Sequence, residues 1–431
     1  MPRRELSVDM NSHNGLRGLC SVWIVMYHFL IKSSIGFDLM GNIAMPIFFI
    51  LSGFSLSVVY GTSVEGKSYS LNIKEFYRNR FARIYPVYIL TTVLALGLVF
   101  TDYSFESTNH PTFSFETMDA ASWISTIFLN VLVLQTWPIL PWIPYRYRAF
   151  INMPAWFVST LWFQYLIFPY TVKCYRKIPN RYRMVTISLF CLLTMTTSIS
   201  LWFLTRDFFA ATFSVISPGF FMFSAGAVSG LWCAQRTMDE RQCSAGQQAK
   251  SKQHWAAQSD TAVSILMSWV VGSVVAEALG YPYGAQLLVQ VVGTPFMVWM
   301  VISLSMDGGT SRFASLCRWT PSVFLGKISM ALYLIHGIVL RYFCVLIQAV
   351  APELLPPEIT NTPFFRSGLI PFWGIFVIVP LSLIFGTAIE RFVERPCRGL
   401  LQAPKPQQHE QPLTDKLPVG NDEERVKQKR I

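Results

Sequence analysis

The chain alternates apolar runs with short polar stretches, and the polar stretches are by turns rich and poor in Lys and Arg. Apolar runs long enough to cross a bilayer fall at about 15–34, 40–60, 84–101, 155–172, 184–204, 209–233, 262–280, 285–305, 322–347 and 368–389. A hydrocarbon core about 30 Å thick needs roughly 20 helical residues to span it, which is the length of these runs. The pattern predicts an all-α fold: a polytopic membrane helix bundle with about ten transmembrane helices. Ala120 to Trp137 is apolar too, yet counting it as a full span would put the basic stretch Lys173 to Arg183 outside. It is read as one re-entrant or interfacial segment. No internal repeat is evident.

Composition agrees with this reading and excludes the main alternative. By length, 431 residues would fill two or three soluble domains, but 52% hydrophobic and only 14% charged residues leave no sizeable soluble domain. The net charge of +11 does not point to nucleic acid, because the basic residues cluster in short loops: Lys67 to Arg83, Lys173 to Arg183, Arg236 to Lys252 and Arg312 to Arg318. Basic loops stay cytoplasmic, so ten spans put both termini there too. The expected organisation is a cytoplasmic N-terminus (1–13), a transmembrane domain (14–400) and a disordered cytoplasmic tail (401–431) rich in Pro, Gln, Lys and Glu. The membrane is the plasma membrane or an endomembrane, and the first run is expected to stay as a helix, having no small-residue cleavage pattern behind it. Thr101 to Ala120, without Lys or Arg, and Gln135 to Asn152 are expected to form an outer lid. Eight cysteines without a CxxC pair suggest neither a disulfide framework nor a metal site.

Candidate chemistry begins with Arg17 and His28, eleven residues apart in the first run. Eleven steps of about 100° return to within about 20° of the start, so both share one helix face roughly 16 Å apart along the axis. Ionisable groups at such depth normally face a bundle interior or a wet cavity. A core histidine bonded to a carbonyl is the plainer reading of His28; the same-face Arg17 favours a site. A buried neutral imidazole is suited to accept a proton as a general base. Ser329, Tyr333 and His336 recur at i, i+4 and i+7 and line one stripe, which would bind substrate or cross-link helices. Arg78, Arg80 and Arg83 crowd the cytoplasmic mouth of the third span, where guanidinium groups would grip phosphates or simply anchor the loop. His13, His110, His254 and His409 are read as solvated positions in loops or tails, and Asp38 and Glu277 as span-end acids reaching water. Buried paired carboxylates are not expected. Neither a phosphate-binding loop, HExxH nor GxSxG occurs.

The order of these motifs resembles the membrane-bound acyltransferase 3 family from about residue 11 to residue 400. The resemblance rests on Arg17 and His28, on Phe48, Phe49, Ser52, Gly53 and Phe54, and on Arg78, Arg80, Arg83 and Pro86. It continues through Trp156, Ser159 and Tyr165, the stripe Ser329, Tyr333 and His336, and the closing Glu394-Arg395-Pro396. The chain departs from the family pattern at Leu161, where a glutamate is usual, and at Asn14, where an aspartate is common.

The resemblance implies transfer of an acyl group, often acetyl, from acyl-CoA at the cytoplasmic face to a hydroxyl of a carbohydrate or lipid-linked acceptor. Acyl-CoA would be a co-substrate, with no permanently bound cofactor or metal. His28 would be the base and Arg17 its partner in catalysis or donor binding. Arg78, Arg80 and Arg83 would hold donor phosphates. Ser52, Trp156, Ser159, Ser329, Tyr333 and His336 would contact the acceptor or the developing oxyanion. The bilayer is the other expected partner. The alternatives are a transporter or flippase for acidic or acylated solutes, whose flux would not need a thioester, and an inactive relative that binds donor without turnover.

Overall fold

The computed structural model describes residues 8, 10–31, 43–62, 71–99, 120–137, 151–205, 218–279, 282–351, 353 and 370–402. Among the described residues the regular structure is helical, with no strand. In chain order the helices are α1 (Asn11–Leu30), α2 (Ala44–Leu56), α3 (Ile73–Val99), α4 (Ala120–Val131), α5 (Trp156–Lys177), α6 (Asn180–Thr205) and α7 (Gly219–Arg241). They are followed by α8 (Ala245–Ala278), α9 (Pro282–Met306), α10 (Arg312–Arg318), α11 (Thr320–Val350), α12 (Ile375–Ile389) and α13 (Arg395–Leu401). A π turn, Ser57–Gly61, extends α2, and another, Glu390–Glu394, joins α12 to α13.

Among the described residues, six helical stretches are long and apolar enough to cross a membrane: Ala44–Gly61, Ile73–Leu98, Asn180–Leu204, Ala245–Ala276, Thr320–Ile347 and Phe372–Leu401. The described parts of the other expected runs are helical as well, in α1, α5, α7 and α9. Polar residues dilute three of them: His13, Arg17 and His28 in α1, Gln164 and Arg176 in α5, and glycine and serine in α7. Hydropathy and length thus support six crossings of the ten expected.

Close helix contacts are made by glycine, as is usual where apolar surroundings supply no hydrophobic drive between helices. A Cβ on Gly53 of α2 would meet the Phe223 carbonyl of α7, and one on Gly226 would meet the Ile50 carbonyl. On α1, a Cβ at Gly18 would meet the Ser322 carbonyl of α11, and one at Gly326 of α11 would meet the Asn14 carbonyl. Farther along, Val25 packs with Ile328 and Leu332. Both helices advance in the same direction along this seam, so α1 and α11 are parallel neighbours.

The 120–137 segment is a short helix followed by a return. The 12 described residues of α4 make about 18 Å of helix. The chain then bends at Val133, whose φ of 63° is unusual for a β-branched residue, and buries Gln135 and Thr136 against α5.

Several polar positions differ from the sequence-based expectation. His13 is fully buried within α1, where its Nε2 contacts the Val301 carbonyl (3.3 Å) and Ser305 Oγ (3.0 Å) of α9. Adjacent polar residues suggest a solvated end, but α1 begins early enough to carry His13 into the bundle. Arg312 to Arg318 is helix α10 rather than a loop, its N-terminus capped by Ser311 Oγ on Ala314 N and by the Asp260 carboxylate on Phe313 N. Helices α7 and α8 run through most of the basic stretch 236–252, leaving only a short turn. Two carboxylates are buried among the described residues, Asp307 and Glu394, and they are separate rather than paired. His254 lies exposed on α8 against Gln258. His110, Asp38 and His409, most of the expected outer lid and the tail beyond residue 402 lie outside the described residues.

Candidate active site

A cavity of roughly 660 Å³, its open mouth included, lies where α1, α2, α3, α5 and α11 converge. Arg17, Arg80 and Arg83 line it together with Ser52 and Ser55 of α2 and Ser329 and Tyr333 of α11. Phe48, Phe157, Leu161 and Met330 supply apolar wall, and no aspartate or glutamate is among its lining residues. Three guanidinium groups with no carboxylate in the lining make a chamber suited to an anion, Arg83 being partly balanced by Glu394 outside the lining.

Helix geometry explains which arginines reach it. Arg80 and Arg83 are three residues apart, about 60° around the helix, whereas Arg78 is about 160° from Arg80. Arg78 accordingly points away: its Nε donates to the Leu401 carbonyl (2.8 Å) and its Nη2 to that of Gln402 (2.5 Å), tying α3 to the end of α13. Arg78 is not among the residues that line the cavity. Arg80 reaches the Tyr60 hydroxyl (3.4 Å) in the first π turn and lies over that ring. Arg83 interacts electrostatically with Glu394 of the second π turn, whose Oε1 accepts from Arg398 Nη1 at 3.3 Å. Two π turns therefore bracket the arginine face of α3, a placement common at functional sites. Arg17 crosses to α2, its Nη2 donating to the Leu51 carbonyl (2.9 Å) and Ser55 Oγ (2.8 Å).

On the α11 stripe the hydrogens are committed. Ser329 Oγ donates to the Gly326 carbonyl (3.0 Å) and Tyr333 Oη to the Pro154 carbonyl (2.6 Å). His336 Nδ1 lies 2.6 Å from the Tyr333 carbonyl. In this structure each of these three hydrogens is engaged by a backbone carbonyl. The arginines are the charged donors of the lining, beside the hydroxyls of Ser52, Ser55 and Tyr165.

His28 and His336 are not among the residues that line the cavity. They stack on one another, ring centroids 5.1 Å apart and planes 29° apart, with Tyr333 5.9 Å beyond His336. Their meeting is a matter of register. From Gly18 to His28 and from Gly326 to His336 is ten residues in each case, so parallel helices touching at the glycines bring the imidazoles level about 15 Å farther on.

Trp156 and Ser159 also lie outside the cavity lining. Ser159 is fully buried; its Oγ accepts from Thr136 Oγ1 (2.8 Å) and N (3.2 Å) and donates to the Val133 carbonyl (2.8 Å). It fastens the returning 132–137 strand of chain to α5. Leu161, where the family pattern has an acid, is a wall residue of the cavity itself. The sequence reading missed Ser55, Tyr60 and Glu394 as neighbours of the arginines. Ser55 was findable, since it follows Ser52 by three residues on α2, but the contacts of Tyr60 and Glu394 depend on the π turns.

Residues 10–391 match the model of a family described as an acyltransferase domain. Acyltransferase MdmB of Streptomyces mycarofaciens is 30% identical over 184 residues, 40% of this chain and 42% of that protein. The peptidoglycan O-acetyltransferase OatA of Listeria monocytogenes is 36% identical over 90 residues, 21% of this chain and 14% of that protein. The matched part of the chain thus spans less than half the length of each relative. No solved structure matches it. Since the family model covers nearly the whole chain, and the arginine, serine and histidine motifs fall within it in order, the chain belongs to the acyltransferase 3 family.

Proposed function

We propose that the protein is an integral membrane O-acyltransferase that moves an acyl group, acetyl in the first instance, from acyl-CoA at the cytoplasmic face to a hydroxyl of a carbohydrate or lipid-linked acceptor. One observation carries the reading: Arg17, Arg80 and Arg83 line one cavity together with Ser329 and Tyr333, whose α11 stripe continues along the helix to His336, the residue stacked on His28. Arg80 and Arg83 hold the donor phosphates, and the acyl-bearing arm runs past Tyr333 toward the histidines. His28 takes the proton of the acceptor hydroxyl, the oxygen bonds to the thioester carbonyl carbon, the carbon–sulfur bond breaks, and the thiolate leaves and is reprotonated. Arg17, on the face of α1 that bears His28, balances the charge that develops on the way. Low local dielectric strengthens these contacts, and exclusion of water limits thioester hydrolysis. The names of the relatives, an acyltransferase and an O-acetyltransferase, support both the reaction class and the hydroxyl acceptor.

The test uses the full chain in lipid nanodiscs. Titration with acetyl-CoA should show saturable, salt-sensitive binding, and labelled acetyl should pass into membranes of source cells lacking this protein. His28→Ala should abolish transfer while leaving donor binding intact. Absence of acetyl-CoA binding would end the reading, and full activity of His28→Ala would remove His28 as base.

A further inference from the structure

His336 is 2% exposed, and the direction of its hydrogen bond can be deduced. A backbone carbonyl can only accept, so the 2.6 Å contact with the Tyr333 oxygen puts the ring proton on Nδ1. A second proton would place a full charge in a buried site with no carboxylate partner, which is unfavourable. The other nitrogen, Nε2, is therefore a bare lone pair, and it is buried with no hydrogen-bond partner. A buried acceptor left unmatched is destabilising, and its persistence calls for a donor that arrives from elsewhere. The position beside His28, on the stripe that continues from the cavity through Ser329 and Tyr333, says where that donor comes from.

We propose that His336 Nε2 accepts a hydrogen bond from the acceptor substrate, at a donor group neighbouring the hydroxyl that His28 deprotonates, and so aims the attacking oxygen at the acyl carbon. This rests on the acyl-transfer reading and gives His336 a role opposite in sense to oxyanion stabilisation: it receives hydrogen bonds and donates none to substrate. Arg17 and its neighbours recognise anionic oxygen; His336 recognises N–H or O–H. A molecule with one isolated hydroxyl cannot satisfy both imidazoles at once.

The experiment compares His336→Phe with His336→Gln. Phenylalanine keeps a planar ring and removes the lone pair; glutamine offers a carbonyl oxygen near the position of Nε2. Each is measured in nanodiscs by transfer of labelled acetyl from acetyl-CoA into membranes of source cells lacking the protein. His336→Phe should lose about 100-fold in turnover, the order expected for a misaimed nucleophile. Its KM for acetyl-CoA should stay within about twofold of wild type; because it also loses the Nδ1–H bond to the Tyr333 carbonyl, its melting temperature should fall modestly, and turnover is compared per folded protein. His336→Gln should recover about tenfold over the phenylalanine variant.

A His336→Phe protein that turns over like wild type would overturn the proposal, as would a glutamine variant no better than phenylalanine. A rise in the acetyl-CoA KM matching the activity loss would reassign Nε2 to the donor arm and overturn it as well. The His28→Ala arm is independent: its full activity removes His28 as base, whereas no transfer by wild type removes the acyl-transfer reading itself.

Discussion

Replacing Gly326 by alanine is a direct probe of how the histidine pair is assembled. The added Cβ would fall on the Asn14 carbonyl, 2.6 Å from its carbon and 3.3 Å from the Asn14 Cα, all backbone atoms that no rotamer change can move aside. To reach ordinary contact the two helices must separate by roughly 1 Å, and overpacking of this kind costs about 1–3 kcal/mol. Against this stands the intrinsic preference of a helix for Ala over Gly, about 1 kcal/mol. The same substitution at Gly272, which has nothing within 4 Å, isolates that preference alone. Gly272→Ala should therefore melt at or slightly above wild type, and Gly326→Ala below Gly272→Ala, in thermal unfolding of the nanodisc-embedded protein. Because α1 and α11 carry His28 and His336 at equal distances from this contact, the same shift misaligns the pair, and a displacement of about 1 Å can lower transfer about 100-fold. Equal melting of the two variants, with Gly326→Ala fully active, would show that the glycine seam does not set the separation.

Neutralising Arg80 as Arg80→Gln should weaken acetyl-CoA binding and flatten its salt dependence, while Arg78→Gln, facing the end of α13, should bind within about twofold of wild type; titration at two ionic strengths decides. Ser159→Ala strips partners from Thr136 and from the Val133 carbonyl, each buried, and should destabilise by about 1–3 kcal/mol. The effect should appear as faster hydrogen exchange across residues 120–137, and unchanged protection there would contradict the fastening role. His13→Ala removes the link from α1 to Val301 and Ser305 and leaves a void beside Phe54, its edge-on ring neighbour at 4.7 Å. It should lower the melting temperature clearly, whereas a solvated histidine would tolerate the change.

Much of this was legible in the linear order of residues. Apolar runs fixed where helices form, because a span length and an absence of charge are properties of a continuous segment. The 3.6-residue period put Arg17 with His28, and Ser329 with Tyr333 and His336, each on one face of its own helix; the same period separates Arg78 from Arg80 and Arg83. What periodicity cannot supply is which helix a face meets. That was decided by tertiary packing: glycine contacts between segments some 300 residues apart set the register that stacks His28 on His336, and α9 closed over His13 where local polarity suggested water. Hydrogen-bond direction likewise came only with the fold, since the Pro154 and Tyr333 carbonyls absorb the hydrogens that the sequence left available. A helix dictates its own angles from local steric rules, but the partner of each face is chosen by the whole chain minimising void and unmatched polar groups together.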